Sequence, residues 1–389
     1  MENRKKEFGK IKLENYKTSI ESIIYNSKPN LRYKENIVND FKHDYWIFDN
    51  FDIYYTYDIK FKLFLVYGCD DNNNINIVRL EDKKLIKSLK GHEDIVDIVK
   101  HFYNEINNKN YLLSADYNKL VIVWDLNKYI PIHKINTYYT KYIYSFTILF
   151  PKNYVITSTE GNENDLDTTN IYSLIDGHII RNIKQTAKFE TLYLLIWVYN
   201  NHYYLIELCF DNILIYDLSN GKLFKYLTLK NKSFSYFYSG YISYDNKYLY
   251  TCTIKGIIAI WNLYDGTLVF NTKIKNLNLL EITLWSTEIK KNKNISNDKE
   301  EEQKITNYIL FSNKTHKGFL CINISFDRVI KRKECKEYDT NFNYNIVSFY
   351  GKGKDIKCIK KIIHPIYGEC LLTSGNDRNI DLWINNNGF

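Results

Sequence analysis

The stretch IWNLYDGTLVF, residues 260–270, decides the fold. A β-branched run ends on a large ring, Trp261, then Leu263, a Tyr-Asp-Gly turn and a second apolar run. Read locally, this is a hairpin of two strands joined by a short turn. The pattern recurs as VWDLNKYIPI at 123–132, IYDLSNGKLF at 215–224 and IYSLIDGHII at 171–180. Weaker copies are IVRLEDKKLI at 77–86 and INISFDRVIK at 322–331, and a truncated one is LWINNNGF at 382–389.

Aligning the copies places Val78, Trp124, Tyr172, Tyr216, Trp261, Asn323 and Trp383 at one position, with spacings of 46, 48, 44, 45, 62 and 60. A repeat of this period is one supersecondary unit that cannot bury its apolar faces alone, so its copies must stack. Upstream of the copies run further strands ending in small polar residues: YLLSAD at 111, YVITSTEG at 154, YLYTCT at 248, YILFSN at 308 and CLLTSG at 370. These strands are apolar on both faces, as blades stacked face to face require. The expectation is an all-β chain forming a seven-bladed β-propeller. The chain stops soon after its seventh third-strand, so the last blade needs an outer strand from elsewhere. An N-terminal strand within 35–48 would close the ring and remove an exposed sheet edge.

The remaining marks resemble the WD-repeat family. They are Trp124-Asp125, Trp261-Asn262 and Trp383-Ile384 on third strands, Gly91-His92 before the second blade, and TSGNDRNIDLW at 373–383, with Asp377 six residues ahead of Trp383. The resemblance covers roughly residues 40–384. It implies a hydrogen-bonded set inside a blade, with His92, Ser114 and Trp124 in three of its four places. Asn118 stands where the family has a turn aspartate, so the set is expected to be imperfect. A fold this widely reused fixes no single role.

Two segments fall outside the repeats. Residues 1–34 form an extension in which Tyr16, Ile20, Ile23 and Ile24 would share one face of a short amphipathic helix at 14–27. Residues 286–307, STEIKKNKNISNDKEEEQKITN, have the polar, mixed-charge composition of a disordered insert in the 35–389 propeller.

Composition narrows the function. The net charge is +8, but Lys is spread along the chain among acidic residues and only 7 of the 53 basic residues are Arg. That argues against nucleic acid as a partner, since phosphate and base recognition concentrates Arg. The seven cysteines stand singly with no Cys-x-x-Cys, as buried thiols in a reducing compartment would. The opening MENRKKEFGK is charged throughout, so no secretory leader is expected there, and the longest uncharged run, 191–206, is short of a membrane span. An intracellular protein, cytoplasmic or nuclear, is expected.

Phosphate-loop, zinc-helix and nucleophile-elbow motifs are missing from the sequence, and no two histidines share a metal-ligand spacing. The reading is therefore a non-enzymatic scaffold without cofactor or metal. It holds other proteins or peptides on one face, as a subunit of a hetero-complex. Two alternatives stay open: a substrate-receptor subunit of a ubiquitin ligase, and an RNA-associated factor. For partner contact the candidates are the aromatics outside the repeat core, Trp197, Trp285 and Tyr139, because binding hot spots favour such rings.

Overall fold

The computed structural model describes residues 24–25, 29–38, 51–57, 61–69, 72–137, 143–159, 168–184, 191–229, 236–243, 245–274, 277–289, 304–313, 318–323, 346–350, 356–375 and 379–386. They form seven sheets, six of four antiparallel strands and one, in blade 6, of four antiparallel strands with a short parallel fifth. Blades 1 to 6 are 51–89, 96–136, 143–184, 191–228, 237–273 and 279–350. Blade 7 takes three strands from 356–385, and its fourth is Leu31–Val38. The first strand of each blade lies against the first strand of the next, and that of blade 7 returns to that of blade 1. The chain is a closed seven-bladed β-propeller with its first strands innermost.

The closing strand runs antiparallel to Ile380–Asn385, from Leu31 opposite Asn385 to Val38 opposite Ile380. It starts four residues before the segment expected at 35–48, so a boundary after residue 34 would cut through it. Residues 39–50 lie outside the described set, as does most of the expected helix at 14–27. Of that helix only Ile24 and Tyr25 are described, and they are strand, parallel to Ser286 and Thr287 of blade 6. The insert is likewise narrower than 286–307. Ser286–Ile289 pair with 304–307 and lengthen the hairpin, because backbone pairing satisfies polar segments as well as apolar ones.

The repeats share features that side-chain pattern alone does not display. Six of the seven inner strands carry a register shift at the same place, between residues 96/98, 143/145, 191/193, 237/239, 279/282 and 356/358. Each is a bulge that turns the strand where it enters the crowded ring.

One second-strand position packs against the next blade. It falls three residues after the partner of the third-strand ring and is Gly68, Ala115, Ser158, Leu208, Cys252, Ser312 and Ser374 in turn. Ser158 Oγ donates to Thr191 O at 3.2 Å, and Ser312 Oγ to Lys357 O at 3.0 Å, each at the start of the next inner strand. A Cβ on Gly68 would stand 2.5 Å from Val96 O, so only glycine fits in blade 1. Blade 4 has the bulky Leu208, and the facing strand makes room with Gly240, whose Cβ would lie 2.6 Å from Leu208 Cδ1. This is why the second strands end in small residues. The same register corrects the alignment in blade 6, where Ile309 pairs with Ile322, so Ile322 rather than Asn323 is the equivalent of Trp261.

Candidate functional site

In blade 2 the side chains make the expected network with one substitution. Trp124 Nε1 donates to Ser114 Oγ at 2.8 Å, Ser114 Oγ lies 2.6 Å from His92 Nε2, and His92 Nδ1 lies 2.7 Å from Asp116 Oδ2. An indole N–H can only donate, so Ser114 accepts it and turns its own proton to His92 Nε2. That leaves Nδ1–H to donate to Asp116. Asp116 Oδ1 also accepts the turn N–H of Leu120 at 3.0 Å. The acid is therefore Asp116, and Asn118, expected in that place, is exposed on the turn. Asp116 ends the second strand and reaches both donors from there.

The other Trp–hydroxyl pairs are Trp261 Nε1 to Thr251 Oγ1 at 3.1 Å and Trp383 Nε1 to Thr373 Oγ1 at 2.8 Å. These groups hold blades together and face no solvent. Asp377 and Tyr139 lie outside the described residues.

Trp197 and Trp285 sit on inner strands as the sequence implied, but both are 0% exposed. That corrects their assignment to partner contact, because a ring without solvent contact meets no partner while the blade is folded. Trp285 packs with Tyr308, Ile363 and Trp383 between blades 6 and 7. Trp197 donates from Nε1 to Asn246 O of blade 5 at 2.8 Å and is the floor of an aromatic cluster.

The surface above that floor is the candidate site. One face of the ring carries the turns between first and second and between third and fourth strands; it is called the hairpin face here. The other carries the second-to-third turns and the blade linkers. Of the exposed large apolar residues, Ile106, Ile175, Val198, Tyr264 and Ile366 sit in or beside hairpin-face turns. Leu85, Ile130, Ile132, Ile179, Ile180, Leu223 and Phe224 are all within the first three residues of an outer strand, next to that face. The remaining one is Tyr226, midway along an outer strand. Among the described residues none lies on the linker face. Scattered apolar side chains need no explanation, but a set grouped along one face does.

The set is densest at blades 4 and 5. Tyr199 stacks on Trp197 at 5.2 Å and 8°, and Tyr264 lies 4.8 Å from Tyr199. Tyr204 packs 5.0 Å from Trp197 and 4.7 Å from Phe224. Lys225 Nζ is 5.7 Å from the Trp197 ring centroid and 5.0 Å from that of Phe224, and it donates to Leu263 O at 2.6 Å and to Tyr264 O. Burial lowers the Lys225 pKa, and Asp265 opposes the shift. The cluster thus ties the outer strand of blade 4 to the turn of blade 5 and holds Phe224 and Tyr264 rigidly outward, 44% and 41% exposed. Pre-ordered rings of this kind lose little entropy on binding. Sequence reasoning missed Phe224 and Tyr264 because they lie inside the repeat motif, where a ring reads as core.

No family model and no curated protein matches the chain. Among the described residues no group of three or more His, Cys, Asp or Glu could hold a metal ion, and no helix is long and apolar enough to cross a membrane. The described cysteines are buried, and desolvation pushes the Cys321 and Cys370 thiols up to about 12, which keeps them protonated.

Two histidines carry a pH dependence. His364 is buried beside the hairpin face, and its Nδ1 accepts the N–H groups of Ile366 and Tyr367 at 3.2 and 3.4 Å. Burial lowers its pKa to about 4, against an opposing pull from Glu35, and burial lowers that of His101 to about 4 as well. A folded pKa below the unfolded ~6.5 gives stability that is complete above ~6.5 and is lost as pH falls toward 4. Each histidine is expected to cost up to about 3 kcal/mol over that window. Melting temperature should fall between pH 7 and 5, and His364→Asn should flatten the slope. An unchanged slope in a folded variant would contradict this.

Proposed function

We propose that the chain is a propeller of the WD-repeat type that works as a non-enzymatic platform. On this reading it takes peptides or domains of other proteins on the hairpin face of blades 4 and 5, as a subunit of a larger intracellular complex. The Trp–hydroxyl pairs of blades 2, 5 and 7 and the His92–Asp116 network support the repeat type. The observation that carries the platform reading is the exposed aromatic cluster at blades 4 and 5, with Phe224 and Tyr264 fixed over buried Trp197.

Hot-spot rings cluster in rigid, well-packed surroundings, and truncating one typically costs about 2 kcal/mol or more, roughly thirtyfold in affinity. Both side chains are exposed, so Phe224→Asp with Tyr264→Asp should leave the melting temperature within about 2 °C, since surface changes seldom exceed ~0.5 kcal/mol. The double variant should lose the partners that the wild-type chain retains at 50 and at 200 mM salt, both ionic strengths being chosen as about the range over which phosphate contacts fail. Tight RNA binding that falls steeply with salt and ignores both substitutions would overturn the platform reading in favour of an RNA-associated factor.

A further inference from the structure

Blades 3, 4 and 5 pass from third strand to fourth through a loop of one geometry, at 173–178, 217–222 and 262–267. The fifth residue of each loop is a glycine at positive φ: Gly177 at 76°, Gly221 at 73° and Gly266 at 78°. Its N–H donates to the carbonyl of the first residue, at 2.9, 2.7 and 2.8 Å in turn. The side-chain oxygen of the fourth residue accepts the N–H of the sixth. Asp176 Oδ1 does so from His178 at 3.4 Å, Asn220 Oδ1 from Lys222 at 2.7 Å and Asp265 Oδ1 from Thr267 at 2.8 Å. Blade 4 therefore has Asn220 where its two neighbours have aspartate.

An asparagine carboxamide followed by glycine is open to attack by its own main chain, because glycine has no side chain to shield its nitrogen. Asn220 is exposed, and the short bond from the Lys222 N–H polarises its Cγ–Oδ1 group. The same bond folds the carboxamide back along the two residues that follow. Nδ2 donates to Asp217 Oδ2 at 3.2 Å. Arg181 reaches the loop from the outer strand of blade 3 and donates to Leu218 O and Ser219 O at 3.3 and 3.4 Å. A Cβ on Gly221 would stand 3.0 Å from Arg181 Nη1, so the guanidinium lies against this glycine. A cation held there favours the anion formed when the Gly221 nitrogen loses its proton.

We infer that Asn220 is a site of spontaneous deamidation. Hydroxide takes the proton from Gly221 N, and that nitrogen bonds to Asn220 Cγ. The Cγ–Nδ2 bond breaks, and Nδ2 takes a proton from water and leaves as ammonia. Water then opens the cyclic imide at one of its two carbonyls. Opening at Cγ gives aspartate; opening at the main-chain carbon gives isoaspartate, whose backbone runs through Cβ and Cγ. One water enters and one ammonia leaves. Aspartate at 220 matches the residue type of blades 3 and 5, so the loop can keep its bonds around that product. The new carboxylate stands on the hairpin face, four residues before Phe224. The inference rests on the loop alone and holds with or without a partner on that face.

The full chain, kept folded in mildly alkaline buffer and sampled over weeks by digestion and mass spectrometry, tests this. The same chain in urea gives the rate without the fold. The Gly221 N–H must first leave Asp217 O, so native conversion should be slower than unfolded by roughly tenfold, as for the opening of an exposed turn. It should rise in proportion to hydroxide and give both aspartate and isoaspartate at 220. Asn220→Gln, whose longer side chain disfavours the ring, should stay unmodified at that position. Native conversion slower than unfolded by more than about a hundredfold would overturn the proposal, because the folded loop would then protect the amide. Earlier conversion of another asparagine among the described residues of the native chain would overturn it as well.

Discussion

A chain lacking residues 1–38 is expected to be insoluble or to melt far below the intact protein. One lacking only residues 1–23 should stay close to it. The difference is the strand Leu31–Val38. It is the outer strand of blade 7, paired along Ile380–Asn385, and Tyr33 meets the Trp383 ring edge-on at 5.9 Å. Asn30 N donates to Asn385 Oδ1 at 3.0 Å, and Asn36 Nδ2 to Asp381 Oδ1 at 3.2 Å. Lys83 of blade 1 also reaches Glu35 Oε2 at 2.7 Å, tying the first blade to the closing strand. Without that strand, Ile380–Asn385 becomes an apolar edge open to other chains. The last blade also loses the strand that the start of the chain contributes to it. Thermal melting and size-exclusion chromatography of the two truncations distinguish the outcomes. A soluble 39–389 chain with the full-length melting temperature would mean that the ring closes without its N-terminal strand.

The second large effect belongs to Asp116. Its carboxylate meets His92 and the N–H of Leu120, and the side chains of His92 and Asp116 are 1% and 0% exposed. Asp116→Ala strands the imidazole N–H and a turn amide in a buried site. Removing one partner of a buried charged network costs about 3–5 kcal/mol, more than a surface cap would. Asn118→Ala, at the exposed turn position where the family resemblance places the acid, should cost under ~0.5 kcal/mol. Chemical denaturation of both variants settles which residue completes the network. Equal, small losses would show that the blade 2 network adds little to stability.

The sequence displays the repeat because each third strand carries its own ring, turn and apolar run, which are local properties. Blade number, strand order and the need for an N-terminal closing strand all follow from that periodicity. The register of the closing strand does not, because Leu31–Val38 is set by pairing with Ile380–Asn385, some 345 residues away in sequence for Asn36 and Asp381. Asp116 was hidden for a related reason. A carboxylate two residues from its expected place can reach the same histidine once the strand end is built in three dimensions.

The candidate site was illegible in the opposite sense. Trp197 and Trp285 stood out in sequence because they break the repeat, but a ring on an inner strand is enclosed by blades on both sides. Phe224 and Tyr264 belong to the repeat and looked like core. Only the outer strand and a turn, which have no blade beyond them, leave those rings in solvent. Lys361 of blade 7 donates to Tyr241 of blade 5, a pairing that no local pattern encodes.

The central claim, that partners dock on the hairpin face of blades 4 and 5, is tested most directly by hydrogen exchange of the chain with and without a bound partner. The account predicts slowed exchange in the turns at 199–202, 217–222 and 263–267 and along Lys222–Thr228, with the second-to-third turns at 209–212 and 253–257 unchanged. Protection confined to those second-to-third turns and the blade linkers would place the partner on the opposite face and contradict it.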